Sequence, residues 1–193
     1  MSKRQAIIDA AAELFAKNSY NSVGIRDITS RAGANSAMIS YYFGGKAGLL
    51  REIFASFSEL VYAELAASFK ESSDHYEMCE ISVRRMVYCA RSNKNLFILG
   101  LKELNHGAPE LEELRTRHHE LCNGLFESNI DKLGLSSFPD YETQHITFTA
   151  VMGAIYSNLL LEDASALDDH RFVEKYIAII TTILKDGVTK VWD

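Results

Sequence analysis

The stretch "AGANSAMISYYFGGKAGLL", Ala32 to Leu50, decides how this chain is read. Gly44-Gly45-Lys46, directly after Tyr41, Tyr42 and Phe43, invites a nucleotide-phosphate loop. Such a loop needs Gly, four residues, then Gly-Lys and a Ser or Thr hydroxyl for magnesium. Counted back from Gly45, the first glycine falls on Ser40, and the residue after Lys46 is Ala47. The loop is excluded twice. A helical corner fits instead. Asn35 is a good N-cap, a short helix follows from Ser36 to about Phe43, and Gly44 can supply the left-handed conformation that ends it. Ile39 and Phe43, four apart, face back into the protein and leave Ser36, Ala37, Ser40 and Tyr41 outward.

Upstream, a second short helix holds Ile25, Ile28 and Ala32 on one face and stops at Gly33. The two short helices are joined by "AGAN", which is a helix-turn-helix pattern. A first helix starts at a capping box, Ser2 with Gln5. It carries Ile7, Ile8, Ala11, Ala12 and Phe15 inward and ends near Asn18. A fourth helix begins near Lys46 and runs about 25 residues, with a stripe from Leu49 through Phe57 to Leu65. The outward groups of the third helix are small, neutral or hydrogen-bonding, suited to a major groove. Free N–H groups at the start of the fourth helix, with the Lys46 ammonium, form a site for a backbone phosphate. The phosphate is that of a nucleic acid. The candidate DNA-binding set is Arg26, Asn35, Ser36, Ala37, Ser40, Tyr41, Tyr42 and Lys46.

The remaining 143 residues after Leu50 continue in the same helical style, since the chain has 193 residues, 47% of them hydrophobic, and only two prolines. The fold class is all-α. Charge is uneven: residues 1–51 hold seven Lys or Arg against Asp9, Glu13 and Asp27, net +4, and the remainder holds −10 of the overall −6. One basic end on an acidic protein suits a polyanionic partner. Asp9 and Glu13 interrupt the apolar run near the N-terminus, so it reads as an amphipathic helix rather than a signal peptide. Residues 143–161, "TQHITFTAVMGAIYSNLLL", reach membrane-spanning length but are too polar for a bilayer. Cys79, Cys89 and Cys122 lack metal-site spacing and suit a reducing cytoplasm.

Over residues 3–50 the chain resembles the TetR family of bacterial transcriptional repressors. Ile8, Ala11, Phe15, Tyr20 and "IRDITSRAG" carry the likeness, followed by Ile39, Tyr41, Phe43, Lys46 and Leu49, close to a Y-x-F-x-x-K-x-x-L ending. It departs at Ser19, Gly24, Ala34-Asn35 and Ser40; Gly24 replaces a hydroxyl residue that commonly contacts phosphate. The resemblance implies a DNA-binding domain at 1–46 and, at 47–193, a helical domain that binds an effector and dimerises through its last two helices. The implied protein is a homodimeric repressor, released from a palindromic operator by a small apolar or aromatic molecule. It needs no cofactor and no membrane. The final helix agrees, with Val173, Tyr176, Ile177, Ile180, Ile183, Leu184, Val188 and Val191 on one stripe and Phe172, Ile179 and Trp192 on a second side. Ala150, Gly153 and Ala154 let another helix approach closely, so the expected dimer interface adds these to Tyr176, Ile180, Ile183 and Leu184. Helices are expected at about 74–92, 95–105 and 109–133. Pocket candidates are Val61, Leu65, Met86, Phe97, Leu101, Phe126, Phe148, Met152 and Tyr156.

Rival chemistries have less support. His118 and Cys122 are four apart on one helical face, a spacing that can grip a transition metal; a metal-responsive regulator is the corresponding alternative. Cys79 and Cys89 are about 15 Å apart by helical rise, too far for a disulfide. The carboxylates of "PELEEL" have charged neighbours, as on a solvated helix face, so no enzyme is expected. A dimeric helical binding or scaffold protein without DNA binding is the other alternative, and Tyr41 and Lys46 argue against it.

Overall fold

The computed structural model describes residues 2–134, 140–161 and 168–192 and, within them, all side chains but those of 105–106, 145, 158–161 and 186–192. Among these residues every regular element is helical. The α-helices are α1 (Lys3–Lys17), α2 (Ile25–Ala32), α3 (Ser36–Phe43), α4 (Lys46–Glu71), α5 (His75–Ser92), α6 (Lys94–His106), α7 (Glu112–Glu127), α8 (Tyr141–Leu161) and α9 (His170–Trp192). Two compact units emerge: Met1–Glu59 with Asn95–His119, and Leu60–Lys94 with Glu120–Asp193.

In the first unit, local signals set the boundaries. Ser2 accepts the Gln5 N–H at 3.2 Å, but the Gln5 amide donates to Asp9 (2.8 Å), so the expected reciprocal half of the capping box is absent. Ile7, Ala11 and Phe15 of α1, Ile28 of α2 and Ile39 of α3 are buried together with Leu49 and Leu50 of α4. Each such large side chain contributes about 1.5–3 kcal/mol by leaving water. Glu13 on α1 clasps the guanidinium of Arg31 on α2 through both oxygens, at 2.7 and 2.9 Å to one nitrogen. The hydrogen bond from Lys17, together with that from Arg31, holds the Glu13 carboxyl below its ordinary range.

Farther along, Phe57 meets Phe97 edge-on (5.3 Å between centroids) and stacks on the His118 ring at 5.9 Å. Gly100 is necessary here, because a β-carbon would overlap the Phe57 ring. His118 is 1% exposed, its Nδ1 lies 2.8 Å from Ser58 Oγ, and burial lowers its pKa from 6.5 to about 4. Between those values the unfolded chain binds the proton and the folded one does not, so stability falls as the solution is acidified through that window. This group alone is expected to remove about 2 kcal/mol between pH 8 and pH 5. Urea unfolding at both pH values checks this; a His118→Asn variant should lose that share of the pH dependence.

The second unit packs α5 against α8 and α9. The predicted helix over 109–133 is divided: a 3-10 turn at Pro109–Leu111 leads into α7, and another follows at Ile130–Leu133. Ser128 Oγ donates to the Gly124 carbonyl (2.6 Å) and Asn129 Nδ2 to that of Leu125 (2.8 Å), local bonds that compete with helix propagation.

On α9 one expectation is corrected. Val173, Ile177, Ile180 and Leu184 form the inward stripe, with Ile180 7% and Leu184 8% exposed, which leaves little of either for a partner. Tyr176 is spent inside the unit as well, donating to the Ala154 carbonyl at 2.5 Å. Ile183, Ala150 and Gly153 do face outward, beside Ile146 and Ile179. The cause is helical period: residues at i, i+4, i+7 and i+11 share a face, and Ile179 and Ile183 lie on another. The side chains of Val188, Val191 and Trp192 lie outside the described residues.

Candidate nucleic-acid interface and ligand cavity

The turn between α2 and α3 is built by three local devices. Gly33 takes φ +57°, a left-handed conformation that releases α2 at its C-terminus. Asn35 Oδ1 accepts the Ala37 N–H at 2.7 Å and starts α3. Gly44 and Gly45, at φ +70° and +123°, then turn the chain into α4. At the head of α2, Gly24 offers no side-chain oxygen, and the Asp27 carboxylate accepts the Gly24 N–H instead (2.7 Å).

On α3 only Ile39 is fully buried, while Ser36, Ala37, Ser40, Tyr41 and Tyr42 are exposed, Tyr41 to 83%. The Tyr41 and Tyr42 rings meet edge-on at 5.1 Å. An exposed aromatic pair beside small hydroxyls gives a surface with donors, acceptors and apolar area for base edges and sugars.

Cations around this helix fall into two groups. Arg4 is paired with Glu52, and Arg31 and Lys17 share Glu13, so each of these three cations has a carboxylate partner, two of them the same one. Lys3 Nζ donates to the Gly33 carbonyl (2.8 Å) and Lys46 Nζ to the Tyr20 carbonyl (2.6 Å); carbonyls carry no formal charge, so both ammoniums stay uncompensated. Arg26 is exposed and has no ion pair among the described residues. The local positive charge thus sits at Lys3, Arg26 and Lys46, around the α2–α3 turn and the start of α4.

Lys46 has a second role that its spacing does not announce. Its ammonium lies 4.1 Å from the Tyr20 ring centroid, so it ties the start of α4 to the connection after α1. One of its three donors is used there. The N–H groups of Lys46, Ala47 and Gly48 precede the first α4 bond, from Leu49 N–H to the Gly45 carbonyl (3.1 Å). Gly48 is a residue the sequence reading did not single out: a β-carbon there would overlap the Phe43 carbonyl, so its bare Cα lets the end of α3 pack directly on α4.

The second unit contains an apolar cavity of about 110 Å³. Of the sequence candidates, Leu65, Met86, Phe126, Phe148 and Met152 line it. Val61 and Tyr156 are buried but not in its wall; Tyr156 donates its hydroxyl to Met86 Sδ (3.1 Å). Phe97 and Leu101 belong to the interior of the first unit, so their place among the pocket residues is corrected. Helical period marks a residue as inward without saying which interior it enters. The wall also holds Met78, Ser82 and Leu184. No Asp, Glu, Lys, Arg or His lines it.

The metal alternative finds no assembled ligand set among the described residues, where no three His, Cys, Asp or Glu side chains converge. His118 Nδ1 is engaged by Ser58, and burial pushes the Cys122 thiol up to about 12, away from the thiolate a metal requires. No described helix is long and apolar enough to cross a membrane.

Comparison with known proteins follows the same division. Residues 7–53 match the family model of bacterial regulatory proteins of the tetR type. The HTH-type transcriptional repressor KstR2 of Rhodococcus jostii (strain RHA1) is 27% identical over 145 residues, which is 72% of this chain and 71% of that protein. The fatty acid degradation regulator FadR from Bacillus halodurans has a TM-score of 0.74 at 17% identity, covering 97% of this chain and 96% of that one. FadR from Bacillus subtilis, solved in complex with stearoyl-CoA, has a TM-score of 0.69 at 18% identity, covering 95% and 98%. At these identities the two structures establish the shared fold.

Proposed function

Since the chain belongs to the tetR family of bacterial regulatory proteins, we propose that it is a cytoplasmic, homodimeric repressor, released from a palindromic operator by a compact apolar effector. The observation that carries the DNA-binding part is α3 itself: capped by Asn35, with Ser36, Ala37, Ser40, Tyr41 and Tyr42 turned outward and three unmatched cations beside it. In this reading α3 enters the major groove, while Lys3, Arg26 and Lys46 meet phosphates on either side. The two α3 helices of a dimer lie about 34–36 Å apart, or a multiple of that, to reach successive major grooves on one face.

The dimer face we assign is the outward side of α8 and α9, centred on Ala150, Gly153, Ile179 and Ile183. A β-carbon at Gly153 meets nothing within 4 Å, so the approach of a second helix is open there. Ile179 and Ile183 are 50% and 59% exposed, apolar area that a four-helix interface removes from water.

The cavity of the second unit is the effector site in this reading. Its uncharged wall favours an apolar molecule; FadR from Bacillus subtilis, a protein of the same fold, was solved in complex with stearoyl-CoA. Leu65 of that wall and Lys46 at the phosphate site belong to one uninterrupted helix, α4, through which a ligand can act on DNA binding.

Base reading provides the test of the α3 assignment. Selection from random oligonucleotides is expected to return a palindromic consensus, and Ser40→Ala is expected to alter that consensus while changing random-duplex affinity by less than about twofold. An identical consensus from both proteins removes Ser40 from the reading surface.

A further inference from the structure

The wall of the second-unit cavity carries a hydroxyl whose acceptor is a poor one. Ser82 is 8% exposed, lines the cavity, and donates to Met78 Sδ at 3.3 Å, one turn earlier on α5. A thioether sulfur is a weak acceptor compared with a carbonyl oxygen. The donor is therefore held on a partner that an oxygen atom can displace. Met78 is itself in the wall and packs with Phe69 and Leu133, so the group that turns from the sulfur to a ligand oxygen is the Ser82 hydroxyl, whose O–H rotates to suit its acceptor. A second thioether in the wall, that of Met86, is held in place by the Tyr156 hydroxyl at 3.1 Å. Met78 and Met86 thus differ: one sulfur accepts from a hydroxyl inside the cavity wall, the other from a hydroxyl behind it.

We propose that the effector is an uncharged molecule with a carbonyl oxygen, which takes the Ser82 proton donor from Met78, attached to an apolar portion of about the size of a five- or six-atom chain or ring. This rests on the cavity being the effector site and adds the chemistry that site selects. Size comes from volume: about 110 Å³ is somewhat less than the roughly 150 Å³ that accommodates a benzene molecule in an apolar protein cavity. Charge is excluded by the wall, in which no ionisable Asp, Glu, Lys, Arg or His is present to pair with it. Selectivity for the carbonyl follows from the exchange itself. A ligand without an oxygen leaves the Ser82–Met78 bond as it is, whereas a ketone, ester or thioester replaces it by a stronger one.

Two probes of equal shape separate these contributions: 2-pentanone, and 2-methyl-1-pentene, in which a methylene replaces the oxygen. Binding is followed on the full-length protein by the 13C-labelled methyl signals of its five methionines, assigned by substitution. Both probes are expected to shift the Met78, Met86 and Met152 signals, with 2-pentanone binding about 3–10-fold more tightly. Ser82→Ala is expected to abolish that advantage and leave alkene affinity unchanged. Met78→Leu, which removes the competing acceptor at nearly constant volume, is expected to widen it. Equal affinity of the two probes for the native protein, or an advantage that survives Ser82→Ala, overturns the proposal while leaving the cavity as a binding site. If neither probe moves any methionine signal, the cavity assignment fails and the proposal fails with it.

Discussion

Replacing Arg26 and Lys46 together by alanine is expected to weaken binding to operator and to random duplex alike, by about 10²-fold per protomer at 0.1 M salt. Each phosphate contact contributes a slope of about −0.9 to the dependence of log K on log salt, so its loss at 0.1 M lowers affinity by nearly tenfold. The double variant should flatten the slope by about two units per protomer, and each single variant by about one. Arg26 is the cleaner member of the pair, being exposed and without an ion pair among the described residues. Lys46 is bonded to the Tyr20 carbonyl, so its loss removes an internal tie as well. The two contributions separate by measurement. A purely internal role lowers the unfolding midpoint and leaves the salt slope unchanged; a phosphate contact changes the slope at constant fold.

Effector and operator are expected to weaken each other's binding by the same factor, about 5–150-fold. The physical path is α4, which carries Leu65 in the cavity wall and Lys46 at its first turn. A ligand that displaces Leu65 is expected to bias the position of the helix whose other end carries Lys46. Reciprocity is a thermodynamic necessity once the coupling exists, so calorimetric titration of an effector with and without operator, and of operator with and without that effector, must give the same factor in both directions. The dimer should persist in both states: α8 and α9 line the cavity through Phe148, Met152 and Leu184, whereas none of the assigned face residues Ala150, Gly153, Ile179 and Ile183 does. Equal ligand affinity in the two titrations means that the cavity and the DNA surface are uncoupled.

The parts of this site that can be read from sequence are those decided within a few residues. Asn35 bonding the Ala37 N–H, Gly33 and Gly44 ending their helices, and the outward placement of Ser36, Ala37, Ser40 and Tyr41 all follow from short-range rules. Contacts between distant residues do not have that signature. The Lys46 bond to the Tyr20 carbonyl spans 26 positions, and nothing in the spacing distinguishes an ammonium bound for a carbonyl from one bound for a phosphate. Gly48 is equally silent, because glycine in a first helical turn has many causes, and only the nearness of the Phe43 carbonyl singles out one. In the second unit, α9 is apolar on more than one side, so periodicity could not rank Ile180 and Leu184 as inward and Ile179 and Ile183 as outward. The same limit applies to Phe97 and Leu101, which have the burial of pocket residues in a different interior. Charge asymmetry was visible, but the distinction between cations matched by Glu13 or Glu52 and those left unmatched needed the fold.

DNA binding through the α2–α3 corner is tested most directly by the salt dependence of the native protein on a labelled random duplex, followed by fluorescence anisotropy. Lys3, Arg26 and Lys46 in each of two protomers correspond to a log–log slope of about −5, so affinity should fall by about 10³-fold between about 50 and 200 mM salt. No complex at 50 mM, or binding that does not respond to salt, would contradict the assignment of this corner to DNA and leave a helical ligand-binding dimer in its place.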